Sequence, residues 1–185
     1  MSSVNYDIIP EDSLSLAMSL IEEFGFSDKD LAKLESEAAA LQDQSQYTVL
    51  DLIYYGEPKA QARARHSSLG GFFYDPSQSL KAWLVEQITT QLPKNFRLVE
   101  GDIEMRCVFY KGMPKSLPKK TKVLMELGLI KPTSKPDVDN YIKLVQDALN
   151  KVLYSDDSQI VCLHAEKFFS VKPRAKIQLK FKMKP

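Results

Sequence analysis

The strongest constraint on the fold is an amphipathic pattern between Lys135 and Ile160, KPDVDNYIKLVQDALNKVLYSDDSQI. Its apolar residues recur every three or four positions, the period of an α-helix with one buried face. They are Val138, Tyr141, Ile142, Val145, Ala148, Leu149 and Val152. Because Pro136 disfavours helix at Lys135, the pattern predicts a helix that begins between Asp137 and Asn140 and packs one side against a core.

The same segment carries an unusual concentration of charge on the helix and at its two ends. Five aspartates and one lysine are involved: Asp137, Asp139, Lys143, Asp147, Asp156 and Asp157. Residues four apart share a helical face, so Asp139, Lys143 and Asp147 form a polar stripe opposite the apolar one. Carboxylates crowded in this way repel one another unless a cation offsets them, so the segment predicts a cation site.

Three carboxylates without a histidine are the ligand set of a hard cation, Mg²⁺ or Mn²⁺. Asp137 can turn back towards Asp139, and the Asp156–Asp157 pair is expected to open a strand. Adjacent side chains of a strand point to opposite faces, so only one of that pair is expected to join the site. Lys143, one turn further on, would pair with a carboxylate, a phosphate or a developing oxyanion.

Structural interpretations of the same residues remain open at this point. The polar stripe is also consistent with surface ion pairs at i, i+4. Asp137 is also consistent with a helix cap, and the Asp156–Asp157 pair is also consistent with a turn. An EF-hand is excluded, because Tyr141 and Ile142 occupy the third ligand position and the glycine position of that loop.

The rest of the chain predicts an α+β (mixed α/β) fold, in which helices pack on a small mixed sheet and a helical extension precedes it. The predicted helices cover 12–24, 28–43 and a segment from Asp75 or Ser77 to about Gln91. Strands are expected at 47–55, 102–110 and 158–169. In the second of these, Ile103, Met105, Cys107 and Phe109 alternate with more polar neighbours, and a last strand alternates Ile177, Leu179, Phe181 and Met183 with lysines and a glutamine.

Charge is distributed unevenly along the chain. Residues 1–47 contain ten acidic residues and two lysines, whereas residues 48–185 contain 23 basic and 14 acidic residues. A strongly basic body is expected of a protein that meets a polyanion. Cys107 and Cys162 lie in apolar contexts and are expected to be buried thiols rather than a zinc site. No apolar run is long enough for a membrane span and no secretory signal is evident, so the cytoplasm is the expected compartment.

The pattern K-P-D-x-D-N-x-x-K-x-x-x-D-A-L-N followed by D-D-x-Q-I closely resembles the RusA-type Holliday junction resolvases, which are Mg²⁺-dependent endonucleases. Gly56-Glu57-Pro58-Lys59 with Arg63 and Arg65, followed by Gly71-Phe72-Phe73-Tyr74, is similar to that family's first strand and basic loop. The chain departs from the family at Ala60, Gln61, Ala62 and Ala64, where glycine and proline are more usual.

The resemblance implies a RusA-like nuclease domain at 47–185, with residues 1–46 as an acidic helical extension outside it. It implies that Asp137, Asp139 and Asp157 hold Mg²⁺ (Mn²⁺ is the second choice), that Asp156 supports them, and that Lys143 is catalytic. It also implies a homodimer, whose two-fold symmetry suits two symmetric nicks in a four-way junction or related branched DNA.

Lys59, Arg63, Arg65 and Lys135 are then the expected DNA contacts, with the lysines of 111–122 and 176–184 as further candidates. For the last group, a solvated face of an edge strand is an equally good interpretation. The alternative functions are a branched-DNA-binding protein that does not cleave, and a regulatory partner whose acidic extension contacts another protein. We expect the extension to be a helical hairpin rather than an autoinhibitory cover.

Overall fold

The structure is a computed structural model of the chain, and it describes residues 11–43, 47–62, 65–66 and 73–182. Met183, at the end of the predicted last strand, and Arg63, a predicted DNA contact, lie outside the described residues. Contacts within the chain separate it into two compact units, Met1–Tyr47 and Thr48–Pro185. Within the described ranges, no helix combines the length and apolar character that crossing a membrane requires.

The first unit contains the helices α1 (Glu11–Phe24) and α2 (Asp28–Gln42), close to their predicted bounds. Gly25 ends α1 with a positive φ of 62°, a conformation that glycine adopts without a Cβ penalty. Ser27 caps α2 through a capping box, in which the Ser27 hydroxyl accepts from the Asp30 N–H and the Asp30 carboxylate accepts from the Ser27 N–H. None of the described residues of α2 is buried within this structure.

The second unit is built on a four-stranded sheet. Its strands are β1 (Tyr47–Tyr55), β4 (Ile103–Gly112), β5 (Ile160–Ser170) and β6 (Arg174–Lys182), in the order β1-β6-β4-β5. β4 is antiparallel to β6 and parallel to β5, and the connection from β4 to β5 runs through α4 (Lys119–Glu126) and α5 (Val138–Leu149). The predicted α+β class with a mixed sheet is confirmed.

A short antiparallel ribbon and one more helix lie between β1 and β4. The ribbon pairs β2 (Arg65–His66) with β3 (Phe73–Tyr74), and α3 (Gln78–Thr89) follows it. The sequence did not predict the ribbon, because two residues are too few for a periodic signal. α3 ends two residues before the expected position, at Thr89.

The core lies between one face of the sheet and the helices α3 and α5. All the residues predicted to face inwards from β4 are buried, and so are the described ones from β6: Ile103, Met105, Cys107, Phe109, Ile177, Leu179 and Phe181. The helices contribute Leu84, Ile88, Tyr141, Val145 and Leu149. The Tyr141 ring stacks on Phe109, with centroids 4.9 Å apart, so α5 is seated on the centre of the sheet.

The opposite face of the sheet is polar, as one face of an open sheet commonly is. Glu166 contacts both Arg106 and His164 at 3.2 Å, and Lys180 pairs with Glu104 at 3.3 Å. Cys162 lies on β5 and is exposed, so the expectation that both thiols are buried is wrong for Cys162. The cause is its place on an edge strand, where it pairs in register with Glu104 of the polar face.

Candidate functional site

The first half of the predicted site lies at the start of α5. Asp137 is the N-cap residue, with extended backbone (φ −74°, ψ 152°), but its side chain makes no capping hydrogen bond. Asp139 lies in the first turn, and both carboxylates are exposed. The exposed Lys143 follows one turn later. The unsatisfied N–H groups of a helix N-terminus favour negative charge there, so α5 itself helps to hold two carboxylates side by side.

Two lysines from the sheet hold the segment just before this pair. The Lys167 ammonium donates to the carbonyl oxygens of Ser134 (3.1 Å) and Pro136 (3.0 Å). The Lys111 ammonium donates to the carbonyl oxygen of Lys135 at 2.7 Å. Together they fix the main chain that leads into Asp137. Lys111 was expected among the phosphate contacts, whereas here it binds the main chain beside the site.

Sequence reasoning did not single out Lys167. Its role depends on the register of β5 against β4, which places Lys167 beside Phe109 at the end of the sheet where α5 begins. No local pattern in the sequence reports that pairing, because it joins strands that are far apart along the chain.

The second half of the predicted site follows the other end of α5. Asp156 and Asp157 were expected to open a strand, but Asp157–Gln159 form a 3-10 helix and β5 begins only at Ile160. Asp156 caps this turn, and its hydrogen bonds from the hydroxyl and main-chain N–H of Ser158 lower the pKa of its carboxyl group. The strand-alternation argument therefore does not apply. Capping occupies Asp156, and the Asp157 side chain is exposed.

The two halves are far apart within one chain. A helix of the length of α5, 12 residues, rises about 18 Å from end to end. β5 then runs back beside β4 towards Lys167 and the start of α5. Accordingly, no group of three or more His, Cys, Asp or Glu side chains in the described part of the chain is arranged to hold a metal ion. Asp137 and Asp139 share one end of α5, and Asp157 does not join them within this chain.

Asp147 lies on the same polar stripe but belongs to a different contact network. Its carboxylate accepts hydrogen bonds from Lys81 at 2.9 Å and from Gln61 at 3.1 Å. Lys81 also pairs with Asp75 at 2.8 Å. Asp147 therefore links α5 to α3 and to the loop after β1, and it contacts neither Lys143 nor the carboxylates at the start of the helix.

Comparison with known proteins identifies the region that carries these features. The model of the endodeoxyribonuclease RusA family matches residues 55–180, which include both ends of α5 and its supporting lysines. The chain belongs to the RusA family. Its members are endodeoxyribonucleases, and so is this protein. The first unit, with its two acidic helices, lies outside the match.

Two relatives illustrate how far the similarity extends. The uncharacterised protein YqaN of Bacillus subtilis (strain 168) is 42% identical over 132 residues, which cover 68% of this chain and 92% of YqaN. The crossover junction endodeoxyribonuclease RusA of Lactococcus phage r1t is 50% identical over 48 residues, 25% of this chain and 37% of the phage protein.

Within the RusA domain, the expected DNA contacts lie on loops around α5 and on the ribbon. Lys59 and Lys135 are both exposed. Arg65 belongs to β2, where it pairs with Tyr74. Lys135 immediately precedes the segment that carries Asp137 and Asp139, so at least one expected phosphate contact lies beside the carboxylate pair.

Proposed function

We propose that this protein is a divalent-metal-dependent resolvase, which cleaves Holliday junctions or related branched DNA by paired symmetric nicks. The observation that carries this proposal is the pair of exposed carboxylates at the start of α5, of which Asp137 makes no capping hydrogen bond. Lys143 lies one turn away, and all three residues lie inside the region that matches the RusA family. The name of the phage relative, crossover junction endodeoxyribonuclease, supports the choice of substrate.

The donor set suits Mg²⁺. Asp137 and Asp139 offer only oxygen ligands, no capping bond occupies the Asp137 side chain, and neither histidine of the chain is near them in sequence. When bound, the ion would supply Lewis-acid polarisation of the scissile phosphate. Lys143 would stabilise the negative charge that develops on the phosphate oxygens during in-line attack. Lys111 and Lys167 would keep the main chain before Asp137 in place.

The distance between the two ends of α5 suggests where a third ligand comes from. A homodimer is expected for this family, and Asp157 of the partner subunit would complete the site of each protomer. β5 lies at an edge of its sheet, and Val161 and Leu163 on it are 66% and 45% exposed. Leu163 pairs in register with the buried Met105, so an apolar residue on the core side of the sheet remains uncovered.

An antiparallel pairing of β5 with its copy would cover this apolar patch and close the site. For a two-fold axis near Leu163, Asp157 of the partner subunit would reach the level of Phe169. Phe169 pairs with Lys111, whose ammonium holds the main chain at Lys135. The same symmetry would create two identical sites, as two symmetric nicks require.

The DNA would be held by Lys59, Arg63, Arg65 and Lys135, which would neutralise phosphates around the site. Such contacts position the duplex arms without reading their bases, as a structure-selective enzyme requires.

Cleavage of a synthetic four-way junction in the presence of Mg²⁺ tests the proposal. We expect paired nicks from the parent protein and a loss of at least a hundredfold for Asp139→Asn, with junction binding retained. Glu86→Gln on α3, away from the carboxylates, is the matched control. Binding without cleavage by the parent, with any divalent ion, would instead identify a branched-DNA-binding protein that has no turnover.

Mixing two inactive variants tests the shared site. After subunit exchange between Asp139→Asn and Asp157→Asn, half of the dimers would be mixed, and each would contain one intact site. About a quarter of all sites would then be intact, so we expect about a quarter of the parent's nicking activity to return. A mixture of Asp137→Asn and Asp139→Asn is the control and should recover nothing. If the first mixture also stays inactive although its subunits exchange, Asp157 of the partner subunit does not contribute to the site of each protomer.

A further inference from the structure

The ribbon of β2 and β3 has a closed base. The Ala62 N–H donates to the Ser77 hydroxyl at 2.8 Å, across 15 residues of chain. Ser77 is completely buried, and its own N–H donates to Asp75 at 2.8 Å. The chain therefore leaves for the ribbon at Ala62 and returns at Asp75 to the same place.

This base is attached to α5 by a cluster of four side chains, which we call the anchor cluster: Gln61, Asp75, Lys81 and Asp147. The Lys81 ammonium bridges the two carboxylates, at 2.8 Å from Asp75 and 2.9 Å from Asp147. Gln61 donates to Asp147 at 3.1 Å, and the Gln61 main-chain N–H donates to the carbonyl oxygen of Asn140 at 2.8 Å. Two of these bonds therefore join the base of the ribbon directly to α5.

Two members of the anchor cluster, Lys81 and Asp75, keep their charges at neutral pH. Burial alone would lower the pKa of Lys81, but its hydrogen bonds to Asp75 and Asp147 outweigh burial and raise that pKa. The hydrogen bond from Lys81 and the Ser77 N–H lower the pKa of Asp75. These side chains are between 21% and 34% exposed, so water weakens the pairs less than it weakens a fully exposed ion pair.

α5 thus carries two features on one rigid element. Its first turn presents Asp137 and Asp139, and Asp147, two turns later, holds the base of the ribbon that contains Arg65. A helix of this length moves as a unit, so the anchor cluster fixes where the ribbon leaves the domain relative to the carboxylates.

We propose that Gln61, Lys81 and Asp147 are positioning residues, which hold the basic ribbon at a fixed place relative to the cleavage site so that Arg65 engages the junction backbone. This inference rests on the proposed function, because it takes the ribbon as a DNA contact. The competing explanation is that the anchor cluster only stabilises the packing of α3 on α5, and the two explanations predict different behaviour in DNA binding.

A double-mutant cycle on the full-length protein separates them. Gln61→Ala removes one bond of the anchor cluster, and Arg65→Gln removes the charge on the ribbon. The matched control for Gln61 is Gln91→Ala, because Gln91, two residues after α3, also joins segments that are far apart along the chain, through bonds with the Ile53 N–H (3.0 Å) and carbonyl oxygen (2.6 Å). Binding to a four-way junction is measured in Ca²⁺ over a range of salt concentrations, and cleavage rates are measured separately in Mg²⁺.

We expect Gln61→Ala to weaken junction binding about three- to tenfold, the range for a lost, partly buried hydrogen bond. The slope of log K against log salt should fall by about 0.9, one phosphate contact. Arg65→Gln should then weaken the parent and the Gln91→Ala protein, yet leave the Gln61→Ala protein almost unchanged. The cleavage rate of saturated Gln91→Ala enzyme should stay within about twofold of the parent, because its bonds to Ile53 lie outside both the carboxylate pair and the anchor cluster.

Additive effects of Gln61→Ala and Arg65→Gln, or an unchanged salt slope, would overturn the inference and leave the anchor cluster a packing device. The inference would also be overturned if the parent cleaves junctions and the Arg65→Gln protein binds them as tightly as the parent does. Failure of the proposed function has a different signature, since the parent itself would then not cleave junctions in Mg²⁺.

Discussion

Replacing Lys167 with methionine tests whether the sheet holds the start of α5 in place. The ammonium of Lys167 donates two hydrogen bonds, to Ser134 and Pro136 at 3.1 and 3.0 Å. Bonds from a charged group contribute about 1.5–3 kcal/mol each when sheltered. Here water can replace part of that, because Ser134 is exposed and Lys167 is only half-buried. We therefore expect a net loss of about 2 kcal/mol in the free energy of unfolding, equivalent to about 4–8 °C in Tm.

The functional effect should exceed the loss of stability. Pro136 directly precedes Asp137, and residues that orient metal ligands typically contribute about 10–100-fold to metal affinity or activity. We expect the Mg²⁺ concentration for half-maximal cleavage to rise about tenfold, measured well below Tm, with partial recovery in Lys167→Arg. Lys94→Met, at an exposed lysine before β4, is the control. An unchanged Mg²⁺ dependence in a folded Lys167→Met protein would refute the argument that Lys167 positions Asp137.

Three further predictions concern stability and assembly. The Tyr141 hydroxyl is buried without a hydrogen-bond partner among the described atoms, so Tyr141→Phe should raise the free energy of unfolding by about 1 kcal/mol in denaturant titration. Because the pKa of Asp75 is lowered in the folded protein, its stabilisation is present above the unfolded pKa and lost as pH falls through the folded value. The parent should therefore lose stability more steeply than Lys81→Met below about pH 4, as followed by thermal unfolding. Leu163→Lys should halve the mass measured by light scattering and abolish cleavage without unfolding the protein; a folded, dimeric and active Leu163→Lys protein would contradict the proposed β5 interface.

Local patterns in the sequence predicted the elements well. The spacing of apolar residues predicted a helix that begins between Asp137 and Asn140, and α5 begins at Val138. The alternation of Ile103, Met105, Cys107 and Phe109 identified the core face of β4. Both signals are local, since burial of one face repeats along a single element. The family resemblance, now shown by the match over 55–180, rested chiefly on the continuous motif from Lys135 to Ile160, with the segment from Gly56 to Tyr74 as a second similarity.

Relations between distant segments could not be predicted in the same way. The contact between Lys81 and Asp147 spans 66 residues, and the role of Lys167 depends on the parallel register of β4 and β5. The separation of Asp157 from Asp139 likewise follows from the path of the chain through α5, the 3-10 turn and β5. The residue types named at the site were therefore readable from sequence, but their distances were not.

The unequal burial of the two cysteines gives this protein a single natural attachment site for a spectroscopic label. Burial raises the pKa of the Cys107 thiol to about 12, which leaves it unreactive, whereas Cys162 is exposed on β5 between Val161 and Leu163. A thiol-specific spin label would therefore attach at one position per chain without any engineering. In a dimer joined along β5 the two labels would lie close together, so a single electron-spin distance measurement on the native sequence would report how two chains meet.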